Sequence, residues 1–249
     1  MPSRLKFIVA YDGGSFAGWQ SQANGNGIQD HIEAAFERIC SERVRVHGAG
    51  RTDAGVHAIA QCAHVNLPAR RYGTDRWVSA LNGVLPPTIR IMRCQFVSDR
   101  FHARFSAKGK MYRYRIWNAD VLPPLEYGRA WHLRNPLDRA AMTAAANDFL
   151  GKHDFASFAA NRGAPVNDTV RTIRNISLRH AGPRISIEVE GDGFLYKMVR
   201  LMVGTLVRVG FEMTRPNEIR SRLESPRKGN RQARNAAPAG GLFLVRVRY

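Results

Sequence analysis

The chain has 249 residues, is 44% hydrophobic and 23% charged, and carries a formal net charge of +18. Those figures suit a soluble globular protein of one large domain or two ordinary ones with a true core. A charge so far from neutral repels itself in the compact state, and it points to a polyanionic partner, nucleic acid ahead of a membrane surface or a small acidic substrate.

The predicted elements run as follows. Residues 5–11 alternate as a strand, ended by Asp12-Gly13-Gly14. Phe16 and Trp19 then fall in a loop, where their expected role is to cover a core edge. Ile28, Ile32, Ala35, Phe36 and Ile39 recur at helical spacing and predict an amphipathic helix over 28–40. Residues 44–49 and 60–67 read as strands. Thr74 is placed to cap a helix carrying Trp77, Leu81 and Val84, stopped by Pro86-Pro87, and 89–97 is strand-like. The second half repeats the order. Residues 110–117 alternate as a strand, and Asp138 caps a helix through Leu150 with Gly151 beyond its end. Residues 169–179 and 184–190 are strands joined near Gly182-Pro183. Leu195, Val199, Met202, Val203 and Leu206 mark one face of a helix ending near Gly210. A short helix over 214–223 and a closing strand over 242–249 complete the chain.

This pattern predicts an α+β fold of two ferredoxin-like halves, each a split β-α-β arrangement with an antiparallel sheet and helices on one face. The halves are expected at 1–104 and 105–249, with an active-site cleft between them. The sheet face away from the helices is expected to be open as a binding platform, as in RNA-recognition modules.

The three cysteines, Cys40, Cys62 and Cys94, are widely spaced without a C-x-x-C pair. That argues against a disulfide framework or zinc ribbon and suits a reducing cytoplasm. The eight histidines never fall in H-x-x-x-H spacing, so no metal is expected. The apolar run near the N-terminus is too short for a signal peptide, and no run of about 18 apolar residues exists to span a membrane.

The chemistry concentrates in His47 to Ala58, HGAGRTDAGVHA. Its glycines permit a tight backbone and close approach to a ligand. Arg51 stands two residues from Asp53, and a neighbouring cation favours the ionised carboxylate. Asp before Ala-Gly is also an ordinary turn former; the joint presence of glycines, arginine and aspartate favours Asp53 as the reactive group. Residues 100–117, RFHARFSAKGKMYRYRIW, interleave six cations with Phe101, Phe105, Tyr112, Tyr114 and Trp117 and contain no acid. Cations for phosphates and rings for bases are what a nucleic-acid surface needs, although Tyr112 or Tyr114 is expected to be packed instead. Residues 225–241 read as a polar, basic loop. Other motifs fail. Gly48-Ala49-Gly50-Arg51-Thr52-Asp53 lacks the last glycine of a dinucleotide fingerprint and opens no helix, and neither Gly109-Lys110 nor Gly151-Lys152 continues as a Walker loop.

Taken together, YDGGSFAGWQ, GAGRTDAGVHA, LNGVLP, FHARFSAKGKMYRYRIWN, GKHDFASF, GFLYKMVRLMVGTLVRVG and AAPAGGLFLVRVRY resemble the tRNA pseudouridine synthase A family over nearly the whole chain, in order. The resemblance implies isomerisation of uridine to pseudouridine at positions 38, 39 and 40 of the tRNA anticodon stem-loop. It implies no metal and no cofactor, and a homodimer that shares the tRNA site. It makes Asp53 the catalytic aspartate and Tyr112 the residue that packs on the target base, with Lys110 standing where arginine is usual. Arg200 is implied to pair with the catalytic carboxylate. On the chemistry of the residues, Arg51 and Arg200 would hold Asp53 charged, and with Tyr112 they are the expected substrate-binding residues. Asn235 replaces a threonine often found before Ala-Pro-Ala.

Overall fold

A computed structural model describes residues 3–23, 25–68, 72–160, 168–215, 217–226 and 235–249. The chain divides into two compact units, Met1–Lys108 with Phe243–Tyr249, and Gly109–Leu242. The last strand thus belongs with the first.

The first unit contains β1 (Ser3–Tyr11), α1 (Ile28–Cys40), β2 (Val46–Gly48), β3 (His57–Leu67), α2 (Thr74–Val84), β4 (Ile89–Val97) and β10 (Leu242–Arg248). β1 lies between β4 and β3, antiparallel to both, and β2 pairs antiparallel with the far part of β3. The order β4-β1-β3-β2 is the split β-α-β arrangement expected from the sequence. β10 then joins the same edge of β3 in parallel, through Phe243↔His57 and Leu244↔Ala58. Alternation along β1 buries Leu5, Phe7, Val9 and Tyr11 on one face. The rings of Phe7 and Phe36 lie 5.8 Å apart and those of Phe36 and Trp77 5.5 Å apart, so both helices cover that face. Asp30 accepts the Gly27 amide at 2.9 Å and fixes the start of α1. α2 begins after Gly73, which takes the cap position expected for Thr74, and ends at Leu85, whose extended backbone is imposed by Pro86.

The opposite face is not the open platform expected. Residues 98–108 strap across it, with Tyr249 alongside. Arg4 donates through Nη1 to the carbonyls of Asp99 and, at 2.6 Å, Phe101. The ammonium of Lys6 sits over the rings of Phe101 (5.1 Å) and Tyr249 (4.5 Å). Ala103 is fully buried on Ala49 and Cys62. Its amide donates to His64 Nδ1 at 3.1 Å, and its carbonyl accepts the Tyr249 hydroxyl at 2.8 Å. The cations on alternate positions of β1, Arg4 and Lys6, spend their aliphatic stems and heads on the strap.

The second unit contains β5 (Gly109–Asn118), β6 (Trp131–Leu133), α3 (Arg139–Ala146), β7 (Gly151–Asp154), β8 (Val170–Ala181), β9 (Arg184–Gly191), α4 (Met198–Gly210) and α5 (Glu218–Glu224). Its strands run β5-β9-β8-β7, each antiparallel to its neighbour, with β6 parallel to the end of β5. α3 packs on α4 and β8. Asp138 accepts the Ala141 amide at 2.8 Å as the expected cap. The helix stops at Ala146, however, and a 3-10 turn over Asn147–Phe149 leads to Gly151 at φ +100. β6 and β7 are too short to leave a periodic signal. Both units therefore carry the α+β architecture read from the sequence. Of the basic loop over 225–241, residues 227–234 lie outside the described residues.

Candidate active site

Asp53 lies in the connection from β2 to β3, half-buried, with Thr52 buried before it and Arg51 exposed. The turn is closed by main-chain atoms: the Val56 amide donates to the Asp53 carbonyl at 3.1 Å, and Gly55 takes φ +77. The rest of the loop is pinned from beneath. The Trp19 amide donates to the Thr52 carbonyl at 3.0 Å, and Gln61 Nε2 donates to the Gly50 carbonyl at 2.7 Å. The Tyr11 hydroxyl is 2.8 Å from Thr52 Oγ1. Burial holds the Tyr11 phenol well above its usual range, against the opposing pull of the Thr52 and Gln61 side chains, so at neutral pH it is an uncharged hydrogen-bonding group.

Two glycines from the N-terminal motif make this possible. A Cβ on Gly13 would stand 2.0 Å from the Val56 carbonyl oxygen, and Gly18, at φ +96, lies against the Thr52 carbonyl. Gly48 leaves room for the Trp19 indole, 2.5 Å from where its Cβ would be. YDGGSFAGWQ and GAGRTDAGVHA are thus two sides of one packed corner. Phe16 and Trp19 are buried, as expected of residues covering a core edge. His57, also buried, accepts the Gly13 amide at Nδ1 (3.0 Å), stands 3.1 Å from Asp12 Oδ1 and stacks on Phe243 at 4.7 Å. Sequence reasoning passed over Tyr11 and Gln61; the signal for Tyr11 was that it ends an apolar strand just before Asp12 and paired glycines.

In the second unit both Tyr112 and Tyr114 point to the buried face of β5. Tyr112 meets Phe194 edge-to-face at 5.1 Å. Tyr114 is fully buried; its hydroxyl donates to the Pro238 carbonyl at 2.8 Å, and Gly241 presses against its ring. Arg200, in the first turn of α4, donates through Nε to the Ala237 carbonyl at 2.7 Å while its own carbonyl accepts the Ala237 amide at 2.9 Å. Gly204 lets the main chain of Asn235 approach α4, its Cβ position lying 1.8 Å from that carbonyl oxygen. Arg200 and Tyr114 therefore clamp the segment Asn235–Gly241, the end of the basic loop.

The aromatic residues of 100–117 divide by burial. Tyr112 and Tyr114 are buried, Phe101 and Trp117 half-buried, and Phe105 exposed. Among the described residues no group of three or more His, Cys, Asp or Glu is arranged to hold a metal ion. Nor is any described helix long and apolar enough to cross a membrane.

A family profile described as tRNA pseudouridine synthase matches residues 7–106 and 145–249. A protein of Acetivibrio thermocellus named tRNA pseudouridine synthase A is 43% identical over 245 residues, covering 98% of this chain and 99% of its own. The protein of that name from Moorella thermoacetica is 44% identical over 247 residues, with coverage of 98% and 99%. One from Akkermansia muciniphila is 41% identical over 253 residues, with coverage of 99% and 95%. A solved Cbf5-Nop10-Gar1 complex aligns with 82% of this chain and 45% of its own at 14% identity and a TM-score of 0.39, below the level at which two folds are equated. Matched from end to end at this identity, with the Asp53 corner and the Arg200 clamp inside the matched spans, the chain belongs to the tRNA pseudouridine synthase family.

Proposed function

We propose that this protein isomerises uridine to pseudouridine at positions 38, 39 and 40 of the tRNA anticodon stem-loop, with Asp53 as the catalytic carboxylate. Tyr112, Arg51 and Arg200 are its substrate-binding residues, and the protein works as a cytoplasmic homodimer without metal or cofactor. The observation that carries the reading is the corner around Asp53. Membership of the family supports the reaction, and main-chain and side-chain bonds from Tyr11, Trp19 and Gln61 to Thr52 and Gly50 brace the loop that carries Asp53. Preorganisation of this kind is what a catalytic group needs and what a mere binder gains little from.

The reaction breaks the bond from N1 of uracil to C1′ of ribose, turns the base, and joins C5 to C1′. The hydrogen on C5 leaves as a proton and the freed N1 takes one up, so atoms balance without oxidant, reductant or added water. An ionised carboxylate can enter this sequence in three ways: by attack on the sugar carbon, by addition to the base, or by removal of a ribose proton. In all three the uridine leaves its stack, and an aromatic ring such as Tyr112 replaces the lost stacking. Water must be kept from the detached base.

The test is release of tritium from tRNA labelled at uridine C5. Asp53→Ala is expected to abolish release while leaving tRNA affinity within about twofold of wild type, the mark of an interaction made in the transition state alone. Persisting release would remove Asp53 from the catalytic role. A non-catalytic RNA-binding protein would bind and release nothing, and a ribonuclease would shorten the RNA on a gel.

A further inference from the structure

Residues 98–108 of the first unit carry Arg100, Arg104 and Lys108 against the single acid Asp99. Their turn over His102–Ser106 is fixed at every point. The Ser106 amide donates to the His102 carbonyl at 2.9 Å, and the His102 amide donates to Ser106 Oγ at 3.0 Å. The amides of Arg104 and Phe105 both donate to His102 Nδ1, at 3.1 and 3.3 Å. Below the turn, Ala103 is bolted to His64 and Tyr249.

On this rigid turn Phe105 is 77% exposed. One side of its ring rests on the His102 imidazole, 4.4 Å away at 34°, which in turn meets buried His64 edge-to-face at 4.7 Å. The Arg104 guanidinium carbon lies 5.7 Å from the Phe105 centroid. An isolated exposed apolar residue is ordinary and calls for no explanation. A phenyl ring backed by an imidazole, held on a fixed backbone, with one guanidinium beside it and two more cations in the same segment, is the construction of a stacking site for single-stranded nucleic acid. The other exposed apolar cluster, Val121, Leu125 and Tyr127, flanks Asp120 and Glu126 and lacks that charge complementarity.

We propose that Phe105 is a stacking platform for an unpaired base of the tRNA substrate, with Arg100, Arg104 and Lys108 taking the flanking phosphates. The proposal uses none of Asp53, Tyr112 and Arg200, and it rests on the reading of tRNA as substrate. It accounts for the sharing of labour within one basic aromatic stretch: Tyr114 goes to the core, Tyr112 is the ring proposed for the target base, and Phe105 alone among its rings is exposed.

The experiment measures binding of unmodified tRNA by the full-length protein, by filter retention, together with tritium release from the same RNA. Base–aromatic stacking contributes about 1–3 kcal/mol per base, so Phe105→Ala and Phe105→Leu are expected to weaken binding roughly tenfold, while Phe105→Trp holds it within about twofold. The same loss is expected in KM with kcat little changed. Arg104→Gln is expected to reduce the slope of log K against log salt by about 1. Wild-type affinity in Phe105→Ala would overturn the proposal while wild-type tritium release leaves the function standing. A changed oligomeric state in Phe105→Ala, read by sedimentation, would overturn it in favour of a second copy on this face. A wild-type protein that neither binds tRNA nor releases tritium would overturn both readings.

Discussion

Acid should loosen the first unit at His64. This imidazole is 1% exposed, and its Nδ1 lone pair accepts the Ala103 amide, so protonation there must break one of the bonds that hold the strap. Burial, followed by the charges of His102, Arg4 and His47, pushes its pKa down to about 4 from 6.5. His102 is also pushed down, by desolvation and then His47, Arg4 and Arg104. Because the folded pKa is depressed for a group that is neutral when deprotonated, the unfolded chain binds more protons. The contribution is therefore whole above about pH 6.5 and is lost as pH falls towards 4. At 1.36 kcal/mol per unit the shift caps the loss at about 3 kcal/mol, and about 2 kcal/mol is expected by pH 4.5. His64→Asn places Oδ1 near the position of Nδ1 and does not titrate. Urea unfolding of wild type and His64→Asn at about pH 7 and pH 4.5 then isolates the imidazole from the carboxylates, which titrate in both. Wild type is expected to lose about 2 kcal/mol more than the variant over that interval, and the Ala103 amide to lose exchange protection in step. Equal losses in the two proteins would refute the reasoning, as would an Ala103 amide whose protection ignores pH.

Two substitutions test the corner that holds Asp53. Gly13→Ala places a methyl group 2.0 Å from the Val56 carbonyl oxygen, which neither backbone can relieve without moving the loop; a fall of at least about 2 kcal/mol in stability and a large fall in kcat are expected in urea unfolding and turnover. Tyr11→Phe removes only the hydroxyl facing Thr52 Oγ1, so a loss of about 1 kcal/mol is expected, with kcat reduced more than KM if the loop is repositioned; unchanged kcat would show that Thr52 and Trp19 suffice.

Much of the fold was legible because alternation and helical spacing act locally. β1, α1, β4 and β5 lie within two residues of their predicted bounds, and the β4-β1-β3-β2 order follows from two such β-α-β runs. β6 and β7, of three and four residues, have no room for periodicity. The GRTD frame was legible because glycines crowd there. The purpose of each glycine was not, since Gly13 meets Val56, 43 positions away, and only contact reveals that.

Strand and helix order, the family, and Asp53 as the residue to watch all came from the linear chain, because they rest on neighbours a few positions apart and on motifs kept in sequence. The strap over the outer sheet face, the placing of the C-terminal strand beside β3 and the exposure of Phe105 while Tyr114 is buried were decided by tertiary structure. Each depends on burial of apolar surface and on hydrogen bonds between distant segments, such as the bond from Tyr249 to Ala103, and alternation alone cannot say which face of a strand another part of the chain will cover.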